Sequence, residues 1–295
     1  MTHEWVFLSI LSAVGQAFGW ALKKKTLESK GINNTLGCVS FAVAGLLLAL
    51  IYGAINGWTS PDITWRFVEA SAVVIVANVM GASAVYRAID RASLSLLMPF
   101  FAVTSLAIVP IEFFVRGVRP HALQILGIVL LVGGAIILSA KAVPDKTARK
   151  ALGIFLFAVM CYSVLVPFMA VAVDESHSGL FAAAIFALGT AAGFVPLVFL
   201  AKEPQVILHL RQTGEWKKVF WLMLASGAVI GLFEIGPSTV ALLTAKASEV
   251  FALKRTMPFF ALILGVVMFH EKVTKRHMIG TSLLVVGSMF VVWFR

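Results

Sequence analysis

Charge is what this chain has least of. Only 13% of its 295 residues are charged, whereas 60% are hydrophobic. A soluble domain carries roughly 25% charged residues, so about half the polar coat needed against water is missing, and lipid must take water's place. Mean hydropathy is +0.96. Cysteine is nearly absent as well. Cys38 and Cys161 sit in apolar runs; two such residues cannot build a disulfide scaffold and read as small core-filling side chains. The patterns of catalysis are also lacking: the six histidines give no HExxH, the cysteines no CxxC, and there is no Walker sequence or glycine-rich phosphate loop. The sequence therefore predicts no catalytic residue, no metal, no cofactor, and no ATP-driven pumping by this chain alone. No basic region precedes the first apolar run, which follows Met1-Thr2-His3-Glu4, so that run reads as a first membrane span rather than a cleaved signal.

What charge there is has a sign and a place. The formal net charge is +10, but the basic residues, from Lys23-Lys24-Lys25 onward, lie in short gaps between apolar segments. Loops of membrane proteins hold such residues there, which argues against a nucleic-acid partner. The apolar segments are about as long as a bilayer is thick, and they fall near Trp5–Leu22, Leu36–Asn56, Phe67–Tyr86, Ser93–Phe114, His121–Ala140, Ala151–Val173, Gly179–Leu200, Val219–Leu243, Ser248–Phe269 and His277–Phe294. Continuous apolar runs exclude a β-barrel, whose strands alternate over about 10 residues. The expectation is an all-α integral membrane protein of ten transmembrane helices. The longest gap, Ala201–Lys218, contains a stretch, Val206–Leu210, suited to lie along the interface. Counting basic residues in the gaps places both termini outside the cytoplasm.

The chain also repeats itself. Met98-Pro99-Phe100-Phe101-Ala102 recurs as Met257-Pro258-Phe259-Phe260-Ala261, and Ala92-Ser93 ahead of the first run matches Ala247-Ser248 ahead of the second. A glutamate stands thirteen residues after each proline, Glu112 and Glu271, and each leads through a basic gap to a glycine-containing apolar span, at Gly127 and at Gly280. Residues 1–143 and 144–295 thus read as two copies of one five-span unit. Five is odd, so the second copy enters the membrane in the opposite sense. Inverted repeats of this kind are a recurrent build for secondary transporters, because they supply two similar states, one open to each side.

The run from Ala252 through Lys254-Arg255-Thr256-Met257-Pro258 to His270-Glu271-Lys272, with Gly280 and Val286-Gly287 beyond it, resembles the signature of EamA-type proteins in the drug/metabolite transporter superfamily. Tyr86-Arg87-Ala88-Ile89 and Ser93 to Pro99 resemble the same region in the first repeat. The resemblance implies a 5+5 inverted-repeat bundle working as a metabolite transporter, often an exporter, in the plasma membrane (the bacterial inner membrane). It also implies cytoplasmic termini, against the charge count, and orientation stays open between them.

Ionic groups at membrane depth mark where such a transporter would do its work. Lys254 and Arg255 lie six to seven residues into a span, roughly 10 Å deep, where each cation costs at least about 2.5 kcal/mol unless it faces water or a partner. They are the candidate holders of an anionic group. A Lys-Arg pair at a similar place grips phosphate in the related triose-phosphate transporters, which the resemblance carries over as an analogy. Glu234, mid-span near Gly236 and Pro237, reads either as a proton site for coupling or as the charge partner of Lys254 or Arg255. Asn78 reads as cavity-lining or as an interhelical hydrogen bond. Gln16 and Trp20, four apart on one face, and Tyr86 and Tyr162 are candidates to line the path. Glu112 and Glu271, at span ends, read as groups that fix loops or gates.

The expectation is a secondary transporter moving a small polar metabolite, anionic or zwitterionic, through the lipid bilayer by alternating access. The proton is the candidate coupling ion, and the chain acts as monomer or homodimer. The rival readings are a lipid-modifying membrane enzyme and a non-transporting receptor or assembly subunit.

Overall fold

The computed structural model describes residues 4–27, 31–92, 97, 100–101, 103–119, 121–139, 146–260, 263–264 and 275–294. Of the duplicated positions, Ser93, Met98, Pro99, Ala102, Ala261 and Glu271 lie outside these residues, as does the stretch His270-Glu271-Lys272.

Among the described residues the chain forms helices and no strands. In chain order they are α1 (Glu4–Leu27), α2 (Asn33–Asn56), α3 (Trp65–Ile89), α4 (Val103–Arg116), α5 (Ala122–Ser139), α6 (Lys146–Ser176), α7 (Gly179–Leu200), α8 (Glu203–Gln212), α9 (Trp216–Ala241), α10 (Ala247–Lys254) and α11 (Lys275–Trp293). Helices α1, α2, α3, α6, α7 and α9 are long and apolar enough to cross a bilayer by length and composition alone. Ten of the eleven helices overlap the ten expected spans, the ninth span only over Ser248–Lys254.

The eleventh, α8, fills the long gap expected to lie along the interface. Its Glu203, Val206, Ile207 and Leu210 turn toward the bundle while Leu208 and His209 face outward, the i, i+3, i+7 spacing of an amphipathic helix. Glu203 anchors it. One carboxylate oxygen accepts from the backbone and side-chain nitrogens of Asn34, at 2.9 and 2.8 Å, and the other from the backbone nitrogen and hydroxyl of Thr35, both at 2.7 Å. These groups open α2, whose first N–H donors have no partner within the helix.

The helix pairings have the symmetry of a duplication. α3 packs on α6 and α1 on α9; α4 packs on α6 and α1 on α10; α2 packs on both α7 and α9, and α3 on α7. Exchanging the first five spans for the second five turns each pairing into another on the same roll. The α5–α11 pair shows the inverted sense directly. A Cβ at Gly127 would stand 2.7 Å from the carbonyl oxygen of Gly287, and one at Gly134 would stand 2.6 Å from that of Gly280. The numbers rise along one helix as they fall along the other, so the two helices run antiparallel with glycine against glycine. Small residues allow such backbone approach in lipid. Gly287→Leu should therefore lower the stability of the detergent-solubilised protein by about 1–3 kcal/mol through overpacking. Gly133→Leu, where an added Cβ meets nothing within 4 Å, is the control, and equal melting temperatures for the two variants would contradict the crossing.

Two helices break where they pass the centre. In α9, Pro237 has no N–H to give the carbonyl four residues back, and its ring crowds that carbonyl. Just upstream, residues Ile230–Ile235 widen into a π-turn, and Gly236 N–H reaches back to Gly231 O. Hydroxyl donors gather at this break: Ser238 Oγ and, from across the interface, Ser12 Oγ both donate to Glu234 O, at 2.8 and 2.7 Å. α1 comes this close because Gly15 lies against the backbone of Phe233, where any side chain would collide. Helix α10 is buried along its whole length and stops at Lys254, with Arg255 and Thr256 in a turn before Pro258. Interrupted helices are where transporter folds expose backbone and charge to a central site.

Candidate functional site

The two interruptions face one cavity. It is lined from α1 by Gln16, Trp20 and Lys23, from α2 by Phe41 and from α3 by Asn78. Phe101 precedes α4, Tyr162 and Met169 come from α6, and Phe186 from α7. The broken helices add Ile230, Glu234, Ser238 and Thr239 from α9, and Phe251, Lys254 and Arg255 at α10. About 60 Å³ between them is open to the centre of a water molecule. One water needs about 10–15 Å³ on that measure, so the space has room for a handful of waters.

The polar contacts divide the wall into a paired and an unpaired part. Lys254 Nζ lies 3.2 Å from Glu234 Oε1, and the same oxygen accepts from Gln16 Nε2 at 3.0 Å. The pair is almost fully enclosed, with side chains 6% and 13% exposed. Arg255, 3% exposed, makes no ion pair among the described residues. Its guanidinium stacks over Phe101 at 5.3 Å and Phe251 at 5.9 Å, and its Nε has no hydrogen-bond partner. Gln16 Oε1, Trp20 Nε1 and the Tyr86 hydroxyl are also buried without partners among the described residues. A buried polar group left unmatched costs about 1–3 kcal/mol. Several clustered around one small space mark where a polar occupant belongs.

The structure corrects the placement of Lys23 in the basic gap after the first span. α1 runs on to Leu27, and Lys23 turns inward, 3% exposed, while Lys25 of the same lysine run faces out. Its ammonium sits 4.3 Å from the Trp20 ring centroid, 5.1 Å from that of Tyr86 and 5.3 Å from that of Phe41. Ring faces attract a cation by about 0.5–2 kcal/mol each. Three of them offset much of the roughly 2.5–3.5 kcal/mol that a lysine costs at membrane depth.

Seven of the eight candidate residues from the sequence line this cavity: Gln16, Trp20, Asn78, Tyr162, Glu234, Lys254 and Arg255. Tyr86 stands one layer back, its ring 5.9 Å from that of Trp20. Asn78 combines its two expected placements, since it faces the cavity and its amide donates to Thr190 Oγ1 on α7 at 3.2 Å. Phe41 and Phe186, from spans two and seven, are additions that sequence reasoning missed. Isolated phenylalanines in apolar spans carry no signal that separates a cavity wall from lipid contact.

At the face where the chain termini lie, charges tie the repeats together. The buried Glu112 carboxylate accepts the backbone N–H of Ala247 and of Ser248, each at 2.9 Å, and so caps α10 from the other repeat. Arg116 holds that carboxylate at 2.9 Å and reaches Asp174 of α6 at 2.7 Å. Inside α10, Glu249 accepts the Lys246 N–H at 3.2 Å, closing the same helix start from its own side. Glu112→Gln removes the charge from a capped, paired carboxylate. It should cost about 2–4 kcal/mol, read as a lower melting temperature of the solubilised protein, and an unchanged melting temperature would contradict the tie.

The comparisons with known proteins agree with this architecture. One solved crystal structure is similar over 98% of this chain and 95% of its own, with a TM-score of 0.71 at 17% identity, a likeness that shows the fold alone. No curated protein matches the chain. The model of the EamA-like transporter family matches twice, over residues 3–140 and 149–293. Two matches that cover nearly the whole chain, on a helical bundle whose pairings exchange between its halves, make this multi-pass membrane protein a member of the EamA-like transporter family.

Proposed function

We propose that the protein is a secondary transporter that moves a small organic anion, or a zwitterion presenting an anionic group, across the plasma membrane by alternating access, with export as its direction. The observation that carries this reading is the charge of the cavity. Three buried cations, Lys23, Lys254 and Arg255, share the wall with one carboxylate, Glu234. In a confined space of low dielectric, a surplus of two positive charges is costly when empty and favourable when an anion enters. Arg255 binds the anionic group as a planar donor, and Lys254 does so while Glu234 sets how much of its charge is free. Gln16, Trp20, Asn78, Tyr86 and Tyr162 shape the path. Glu234 balances charge, and it is also the carboxylate through which a proton could be coupled to substrate.

The two halves, residues 1–143 and 144–295, rock about the cavity, and the Glu112–Arg116–Asp174 tie holds the termini-side face closed in one of the two states. Flux into sealed proteoliposomes separates this reading from a non-transporting subunit. Saturable uptake of a small organic anion is the expected result. Its absence across phosphate monoesters, dicarboxylates and amino acids would overturn the reading.

A further inference from the structure

The geometry points to a second anion-binding subsite in the cavity, built by Lys23 with Trp20 and offset along α1 from the Lys254–Glu234 pair; its ligand is an oxyanion group, phosphate or carboxylate, at one end of the substrate. The inference deepens the transporter reading and rests on it.

Three observations meet at this point. First, Lys23 is enclosed on three sides by the rings of Trp20, Tyr86 and Phe41 and lines the cavity on its remaining side. Ring faces satisfy the charge but accept none of its three N–H donors in an ordinary hydrogen bond, and among the described residues no carboxylate pairs with it. Second, the indole N–H of Trp20, which belongs to one of those rings and lines the cavity, is buried without a partner among the described residues. An ammonium and an indole N–H are both donors, and an oxyanion supplies the acceptor lone pairs they lack. Third, the subsite lies apart from the paired ions. Lys23 stands two turns along α1 from Gln16, which bonds Glu234, so the two poles are offset along the helix, and among the described residues Lys23 makes no ion pair with that carboxylate. A substrate that spans them carries its anionic head at Lys23 and presents its other end to Arg255 and the Lys254–Glu234 pair. With a surplus of two positive charges on the wall, the class that fits is a small organic dianion.

Calorimetric titration of the solubilised full-length protein tests this with glycerol 3-phosphate and succinate, and with glycerol as the neutral control. At least one of the two anions should bind and glycerol should not; which anion binds tells phosphate from carboxylate. Lys23→Met should weaken that binding by at least about tenfold, the worth of one charge-assisted hydrogen bond. Trp20→Phe, which keeps a ring under the ammonium and removes only the N–H, should weaken it by about fivefold. Lys23→Arg should retain most of it. The ligand-free Lys23→Met protein should melt no lower than wild type, because methionine replaces an unpaired buried cation by an apolar chain of similar length, so lost binding cannot be charged to lost folding.

The subsite is overturned if neither anion binds the wild type, if glycerol binds as well as the anions, or if Lys23→Met binds unchanged. Failure here is distinguishable from failure of the transporter reading. Anion flux that survives in Lys23→Met but not in Lys254→Met/Arg255→Met removes this subsite alone, whereas wild-type vesicles that pass no solute remove the transporter.

Discussion

Replacing Lys254 and Arg255 together by methionine is expected to cut anion flux by at least about 100-fold, because each cation contributes a charge-assisted contact of about 1.5–3 kcal/mol and every 1.4 kcal/mol is a factor of ten. Methionine keeps the length of the stems, so the walls around Phe101 and Phe251 remain filled. Membrane insertion should become easier, since two charges leave a span in which each costs roughly 2.5–3.5 kcal/mol. Gln16 still donates to Glu234, but the carboxylate loses its counter-charge, so the variant should also melt lower than wild type. The check is flux in proteoliposomes alongside a monodisperse size-exclusion profile. A folded variant that transports like wild type would remove these residues from the site.

Glu234→Gln is expected to have the largest effect on stability, about 3–5 kcal/mol, because it leaves the ammonium of Lys254 buried without its counter-charge. Only the amide of Gln16 and the newly introduced amide then stand near that ammonium, and neither carries a negative charge. The double variant Glu234→Gln/Lys254→Met should recover most of the loss, since both members of the pair are then gone. Non-additivity of this size between residues in direct contact is measured by a double-mutant cycle of melting free energies. Additive effects would show that the 3.2 Å contact contributes nothing. Transport gives the other half of the test. If Glu234 also couples a proton, Glu234→Gln vesicles fail to accumulate substrate against a pH gradient yet still exchange it for internal substrate. Loss of both activities assigns Glu234 to charge balance at the binding site instead.

The legible parts of this molecule are those where physics penalises the sequence. Ten apolar runs with few charges can only be spans. An ion placed deep in one of them is expensive enough to need a reason, and that singles out Lys254, Arg255 and Glu234 from the sequence alone. Gln16 and Trp20 follow from their shared face. Lys23 escapes because a lysine run at a helix end, Lys23-Lys24-Lys25, reads as a headgroup anchor. The signal that would find it is present: Gln16, Trp20 and Lys23 stand at i, i+4 and i+7, one stripe of α1, with Lys24 at the edge of that stripe and Lys25 on the opposite face. Glu203 lies hidden for a different reason. Its partners Asn34 and Thr35 are 169 and 168 positions away, and nothing local to Glu203 predicts that it will cap α2. The break in α9 is half legible. Pro237 announces a disturbed helix, but whether the chain kinks or widens into a π-turn depends on the donors that neighbours supply, here Ser12 from α1 and Ser238 from the next turn.

The central claim is that a positively charged pocket between two inverted halves carries organic anions through the membrane. It is tested most directly by uptake of radiolabelled glycerol 3-phosphate and succinate into proteoliposomes that hold either wild type or Lys254→Met/Arg255→Met. The account predicts saturable uptake of at least one anion by the wild type and background uptake by the variant. Equal uptake by both, or no uptake by the wild type, would contradict it.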